Sequence, residues 1–208
     1  MDLFGFDSKQ NILPNNGEVY YFGQIIDEQK AKELTSVLLR DIDWQHDALI
    51  IYGKQVTTKR MAAWYGDKSY NYTYSNATKT ALPWIPELLE IKQWVEQKTK
   101  WHFNSCLLNL YQTGEEGMSW HSDDEKELGE QTTIASFSLG AERNFSFRDK
   151  QTKQKISLNL ENGSLLVMKG LTQRYWQHSL PKVSHVSQPR INLTFRTIQN
   201  TDEDRYER

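Results

Sequence analysis

The sequence predicts a mainly β chain with flanking helices, and three observations carry that expectation. From Asn104 onward the chain falls into short runs of alternating apolar and polar residues with turn formers between them, which is the pattern of half-buried strands. Only two stretches, those following Asp27 and Pro86, space their apolar residues as a helix does. In R-I-N-L-T-F-R, Arg190, Asn192, Thr194 and Arg196 alternate with Ile191, Leu193 and Phe195, so one face of that strand belongs to a core and the other to something polar.

Residues 1–43 divide into an arm, a strand and a supporting helix. Pro14, Asn15, Asn16 and Gly17 are turn formers. Glu18 to Ile26 reads as a strand. Asp27 is a good N-cap, and Ala31, Leu34, Val37 and Leu38 continue a helix to about Arg40. Residues 44–80 loosen into short strands and turns, where Lys54, Lys59, Arg60 and Lys68 are interleaved with Tyr52, Trp64, Tyr65, Tyr70, Tyr72 and Tyr74. Cations beside flat rings suit a nucleic-acid surface; the same rings could instead fill a small core of their own. In residues 81–200, Pro86 opens a buttressing helix whose buried stripe is Leu88, Leu89, Ile91, Trp94 and Val95. The strands S-C-L-L-N-L-Y, I-A-S-F-S-L, R-N-F-S-F-R, K-I-S-L-N-L, S-L-L-V-M and R-I-N-L-T-F-R then fit a double-stranded β-helix, or jelly roll, which encloses a pocket between two sheets. G-A-E-R and E-N-G are its turns. The tail, residues 201–208, is expected to be disordered, and the whole to form one structural domain.

Composition narrows the function classes. With a formal charge of -2, the 208-residue chain is no general cationic binder, so any contact with phosphates must come from a local patch. A single cysteine, Cys106, excludes an internal disulfide and a cysteine-based zinc site. Neither a leader peptide nor an apolar run of membrane-spanning length is evident, so the expectation is a reducing, soluble compartment, most simply the cytoplasm, with the nucleus as the second choice; a monomer is expected.

The chemistry gathers at M-S-W-H-S-D-D-E. His121 and Asp123 are two apart, so in extended backbone they leave the same face and can meet at one metal ion. His178, in Y-W-Q-H-S, offers a third ligand. Two histidines and a carboxylate form the facial triad of non-heme Fe(II) oxygenases, which leaves coordination positions open. His185 is the nearest rival; His178 directly follows the G-S-L-L-V-M-K-G run, and the choice between them is made by the resemblance that follows. His46 and His102 have no partner at ligand spacing. The two arginines of R-I-N-L-T-F-R are either solvated at a sheet edge or, inside a barrel, in need of anions that a dicarboxylic acid would supply. Asn109 and Tyr111, in N-L-Y-Q-T-G, share a strand face and could bond the same acid.

Taken together, N-x-Y-x-x-G, H-x-D-x-E, the distal histidine and R-x-N-x-T-x-R resemble the AlkB family of Fe(II)- and 2-oxoglutarate-dependent nucleic-acid demethylases, from roughly Tyr52 to Arg196. The nearest likeness is to the branch that contains the vertebrate enzyme preferring double-stranded DNA. The resemblance implies Fe(II), 2-oxoglutarate and O2 as the reacting set, with His121, Asp123 and His178 on the metal. It further implies that Arg190 pairs with the distal carboxylate, helped by Asn109 and Tyr111. Arg196 would take the carboxylate at the metal, helped by Asn192, and Thr194 belongs to the same motif. By the same resemblance residues 44–80 are an N-terminal nucleotide-recognition lid. There Tyr52, followed by Gly53 and Lys54, stands where the branch carries a Phe finger, Arg60 matches a DNA-contacting arginine, and Tyr72 and Tyr74 flank the flipped base. Asp124 and Glu125 read either as solvated loop charges or, in the family, as contacts to the base. Arg143 and Arg148 match positive positions that meet phosphate or line the pocket.

The implied activity is oxidative demethylation of N-alkylated bases such as 1-methyladenine and 3-methylcytosine in DNA, with release of formaldehyde, succinate and CO2. The alternatives are a 2-oxoglutarate oxygenase acting on RNA or on a protein side chain, and, less in keeping with the intact ligand set, a binding module without catalysis.

Overall fold

The computed structural model describes residues 10–51, 54–74 and 77–199, and the side chains of these apart from residues 48–56 and 71–79. Its strands are β1 (Glu18–Gln24), β2 (Gln45–Ile51), β3 (Lys54–Gly66), β4 (Asn71–Tyr74), β5 (Ala77–Thr80), β6 (Leu82–Pro83), β7 (Ser105–Tyr111), β8 (Met118–His121), β9 (Ile134–Gly140), β10 (Arg143–Asp149), β11 (Lys155–Leu160), β12 (Ser164–Lys169), β13 (Trp176–Leu180) and β14 (Arg190–Arg196). The helices are α1 (Glu28–Asp41), α2 (Pro86–Thr99) and the short α3 (Thr172–Tyr175).

Two sheets face each other. The larger has eight strands, in the order β1-β12-β9-β14-β7-β3-β2 with β6 beside β3; the smaller has four, β11-β10-β13-β8. Every neighbouring pair is antiparallel except β3 with β6. This is the jelly roll that the alternating runs predict.

The period-two pattern decides which side of the large sheet meets what. Leu108, Leu110, Phe137, Leu139, Ile191, Leu193 and Phe195 form one face and share a core cluster with Leu34 and Leu38 of α1 and Leu88, Ile91 and Val95 of α2. Burial of such side chains contributes about 1.5–3 kcal/mol each. A polar row therefore has to look the other way, toward the small sheet. At one end of the space between the sheets, Ile134, Phe147, Leu158, Leu160, Leu166, Met168 and Trp176 close a second apolar cluster. Its other end is the polar site.

Asp27 caps α1 by accepting from Lys30 N at 2.8 Å, and Pro86 opens α2. Leu89, expected in the buried stripe of α2, is 47% exposed; the stripe instead runs through Leu88, Ile91, Val95 and Thr99, the i, i+3, i+4 positions of one face. Nor does the segment before α2 break into short pieces throughout. β3 is a continuous 13-residue strand, pairing with β2 through its first part and with β7 through Met61–Gly66. Among the described residues no helix is long and apolar enough to cross a membrane.

Candidate active site

The small sheet sets the two histidines. β8 and β13 pair antiparallel with His121 directly opposite His178, so their rings share a face and approach edge-on with centroids 4.2 Å apart. Phe145 and Phe147 of β10 lie against the His178 ring at 5.5 and 6.3 Å. Beyond the end of β8, Asp123 turns its carboxylate between them, with Oδ1 at 3.7 Å from His121 Nε2 and 3.8 Å from His178 Nε2. One donor atom from each of the three lies within 4.8 Å of the others. The rival His185 lies on the exposed stretch before β14 and is no part of this group.

Protonation follows from the surroundings. His121 Nδ1 lies 2.8 Å from the Ser119 carbonyl, which can only accept, so the proton sits on Nδ1 and the Nε2 lone pair is free for a metal. Burial, only partly offset by Asp123, lowers the His178 pKa to about 4, keeping that ring neutral as a ligand must be. For Asp123 burial pushes the other way, but Arg196 and the two histidines prevail and bring it to about 2, so it is a carboxylate throughout the physiological range. Two imidazoles and a carboxylate suit Fe(II).

The large sheet supplies the opposite wall. In register, Arg190 of β14 stands beside Tyr111 of β7, and Asn192 beside Asn109. On the other side Asn192 faces Ser138 of β9 and Thr194 faces Ser136. Arg190 is 2% exposed and donates from Nη2 to Ser138 Oγ at 2.9 Å and Asn192 Oδ1 at 3.0 Å; its Nε has no partner, and among the described residues no carboxylate pairs with it. Burial lowers its pKa to about 10. The Tyr111 ring lies 5.8 Å from the guanidinium, and the buried amide oxygen of Asn109 is also without a partner. A buried cation with a spare donor is costly unless an anion joins it, and the distal carboxylate of 2-oxoglutarate is an anion of that kind. Thr194 accepts from Asn192 Nδ2 at 2.8 Å, steadying the row.

Arg196, at the other end of β14, is already paired. Its Nη2 lies 2.9 Å from Asp123 Oδ2, leaving Oδ1 toward the histidines, and its Nη1 is 3.6 Å from Glu125 Oε1. Its first partner is therefore the metal-ligating residue itself.

Residues expected at the substrate are placed unevenly. Glu125 adjoins Arg196, with Oε2 buried and unpartnered and a pKa raised chiefly by burial. Asp124 is exposed. Arg60 is half-buried, with Nη2 3.8 Å from Asp47. Tyr52 and Gly53 lie outside the described residues, and for Lys54, Tyr72 and Tyr74 the description covers the backbone in β3 and β4 alone. Arg143 corrects an expectation: at 2% exposed it donates to the carbonyls of Glu116 at 3.0 Å and Pro181 at 2.6 Å, binding loops together rather than meeting phosphate. Arg148 lies over the Trp120 ring, 4.4 Å from its centroid, and bonds Gln177. Ser136 and Ser138, which complete the polar row, are absent from the sequence reading, although their alternation with Phe137 and Leu139 would have placed them on this face.

Comparison with known proteins agrees with this geometry. Residues 18–196 match the 2OG-Fe(II) oxygenase superfamily. The chain is 40% identical over 183 residues to alpha-ketoglutarate-dependent dioxygenase alkB homolog 3 of Bos taurus, covering 83% of this chain and 63% of that protein. It is 39% identical over 180 residues to DNA oxidative demethylase ALKBH2 of Homo sapiens, covering 81% and 69% respectively. The chain thus spans less than two thirds of the length of the alkB homolog 3 relative, and the two identities do not divide one branch from the other. A solved structure titled "The structure of OsALKBH1" shares the fold, with a TM-score of 0.59 at 17% identity over 89% of this chain and 98% of that one. With the ligand triad, the arginine strand and these relatives in agreement, the chain belongs to the AlkB family within the 2OG-Fe(II) oxygenase superfamily.

Proposed function

We propose that the protein is a dioxygenase that uses Fe(II), 2-oxoglutarate and O2 to demethylate N-alkylated bases in nucleic acid, with 1-methyladenine and 3-methylcytosine in DNA as substrates. The observation that carries this reading is Arg190, buried and, among the described residues, without a carboxylate, on the same strand face as the arginine that holds Asp123. When bound, iron and 2-oxoglutarate supply the oxidising power: O2 is consumed, succinate and CO2 are released, and the hydroxylated methyl group departs as formaldehyde.

The chain's own residues hold and select. His121, Asp123 and His178 would take the metal. Arg190, with Asn109 and Tyr111 beside it, would take the far carboxylate, so that 2-oxoglutarate enters in one orientation. Asn192 and Thr194 keep the Arg190 fork in place. The carboxylate of Glu125, backed by Asp124, would favour a base made cationic by methylation over its neutral counterpart. For the lid, Tyr52 with Gly53 and Lys54 would enter the stack when the base is flipped, Tyr72 and Tyr74 would hold it, and Arg60 would meet phosphate. Support for nucleic acid as substrate comes from the relatives, one kind of which is named a DNA oxidative demethylase.

The test offers purified protein, iron, ascorbate and 2-oxoglutarate to 1-methyladenine oligonucleotides as single-stranded DNA, duplex DNA and single-stranded RNA, and measures formaldehyde. Release from DNA, dependent on both iron and 2-oxoglutarate, is expected, and Tyr52→Ala should slow the duplex more than the single strand. Turnover confined to RNA would move the substrate, and 2-oxoglutarate turnover without formaldehyde from any strand would overturn the demethylase reading.

A further inference from the structure

Asp123 lies past the last residue of β8, so no strand ladder fixes its backbone. Its N–H is buried and would be without a partner but for one side chain: Gln173 Oε1 accepts from Asp123 N at 2.9 Å. We propose that Gln173 is a positioning residue of the metal centre, tying the loop that presents Asp123 to the segment that presents His178. The proposal rests on the metal reading above.

The tie is built from a fixed platform. Gln173 is 5% exposed and sits in α3, five residues before His178 in the sequence. α3 is itself anchored: the Thr172 hydroxyl accepts from Glu18 N at 2.8 Å and donates to Lys169 O at 2.6 Å, while Trp176 Nε1 donates to Asn15 O at 3.0 Å. The Gln173 carbonyl takes Lys150 Nζ at 2.8 Å. A second bond crosses the same gap, from Ser122 Oγ to Trp176 O at 3.0 Å. Since the pairing of β8 with β13 stops at His121 opposite His178, these side-chain bonds set the approach of the following loop to β13.

Asp123 is therefore held at both ends. Arg196 fixes one carboxylate oxygen and Gln173 fixes the backbone, so the remaining oxygen can point only toward the two histidines. The amide nitrogen of Gln173 has Met168 Sδ at 3.4 Å as its partner, a weak acceptor. The acceptor oxygen is thus the functional half of the side chain, and a carboxylate of the same length could replace it.

The experiment titrates the 208-residue chain with Co(II) as the only probe, following its visible absorption, for wild type, Gln173→Leu, Gln173→Asn and Gln173→Glu. Losing the acceptor in Gln173→Leu, or withdrawing it by one methylene in Gln173→Asn, should weaken Co(II) binding about 10–100-fold and alter the absorption bands. Gln173→Glu, which keeps an acceptor at the same reach, should stay within about threefold of wild type. Thermal melting of the apo proteins identifies folded variants, and Gln173→Asn carries the test should Gln173→Leu not fold. Wild-type affinity and spectrum in either acceptor-deficient variant would overturn the proposal, as would a loss in Gln173→Glu equal to theirs. If the wild type itself takes up no Co(II), the metal reading fails, and this inference with it.

Discussion

The two ends of β14 carry the same side chain on the same face, in opposite states. Arg196 is half-buried against Asp123 and Glu125, and their negative charge outweighs the desolvation that would otherwise lower its pKa. Arg190 is buried more deeply, at 2% exposed; among the described residues its acceptors are a hydroxyl and an amide oxygen, and its pKa is lowered. Among the described residues, then, the arginine at the metal end has carboxylates to pair with and the one at the far end has none. Arg196 holds Asp123 in place within the protein, whereas Arg190, on the function proposed above, would supply a cation for an anion that comes from outside. On that proposal the difference would separate a part of the scaffold from a part of the binding site, although the sequence motif treats both arginines alike.

The comparison breaks most visibly at the ligand they flank. Asp123→Ala should abolish iron-dependent succinate release and weaken Co(II) binding beyond the roughly 100-fold that loss of a ligand's supporting bond can cost. Retention of affinity within about tenfold would remove Asp123 from the metal. Next in size, Arg196→Met leaves a buried carboxylate uncompensated and should destabilise the apo protein by about 3–5 kcal/mol in urea unfolding. Arg190→Met removes a charge that has no counter-ion among the described residues and should change stability by less than about 1 kcal/mol, or raise it. Equal losses in the two variants would erase the distinction between them.

Acid should expose the same site. The folded His178 pKa of about 4 lies below its ordinary 6.5, so the unfolded chain takes up that proton first; this contribution is complete above pH 6.5 and lost as pH falls toward 4. Asp123, brought to about 2 from 3.8, adds a second loss below that window. The melting temperature of the apo protein should therefore drop between about pH 7 and 4, by a loss on the order of 3 kcal/mol. Bound Co(II), by holding His178 unprotonated, should carry the stability to lower pH. A flat profile in the apo protein would contradict the buried, neutral histidine. Smallest is Glu125→Gln, which should reduce the preference for methylated over unmethylated base by about 1 kcal/mol, roughly fivefold, in competition binding.

Much of the large sheet was legible because both its faces obey period two. The alternation in R-I-N-L-T-F-R and in S-C-L-L-N-L-Y gave the polar row before any coordinates, and the register duly sets Asn192 beside Asn109. The triad was legible for the same reason at His121 and Asp123, while His178 needed the resemblance to separate it from His185. Three things were hidden. α3 has four residues and β13 five, too short for either period to show, so Gln173 carried no signal. Arg143 looks like any basic residue of a hairpin, and only the fold brings loop carbonyls to it. The pairing of Arg196 with Asp123 joins residues far apart in the chain, which a motif can place near one site but cannot order into partners.

The central claim is that Arg190 waits for the distal carboxylate of 2-oxoglutarate, and calorimetry with Mn(II) in place of iron tests it directly. Wild type and Arg190→Met are each titrated with 2-oxoglutarate and with 2-oxopentanoate, which has a methyl group where the distal carboxylate stands. The wild type should prefer 2-oxoglutarate by about 1.5–3 kcal/mol, roughly 10–150-fold, and Arg190→Met should lose that preference. An equal preference in both proteins would show that another group receives the carboxylate, and the account of β14 would be wrong.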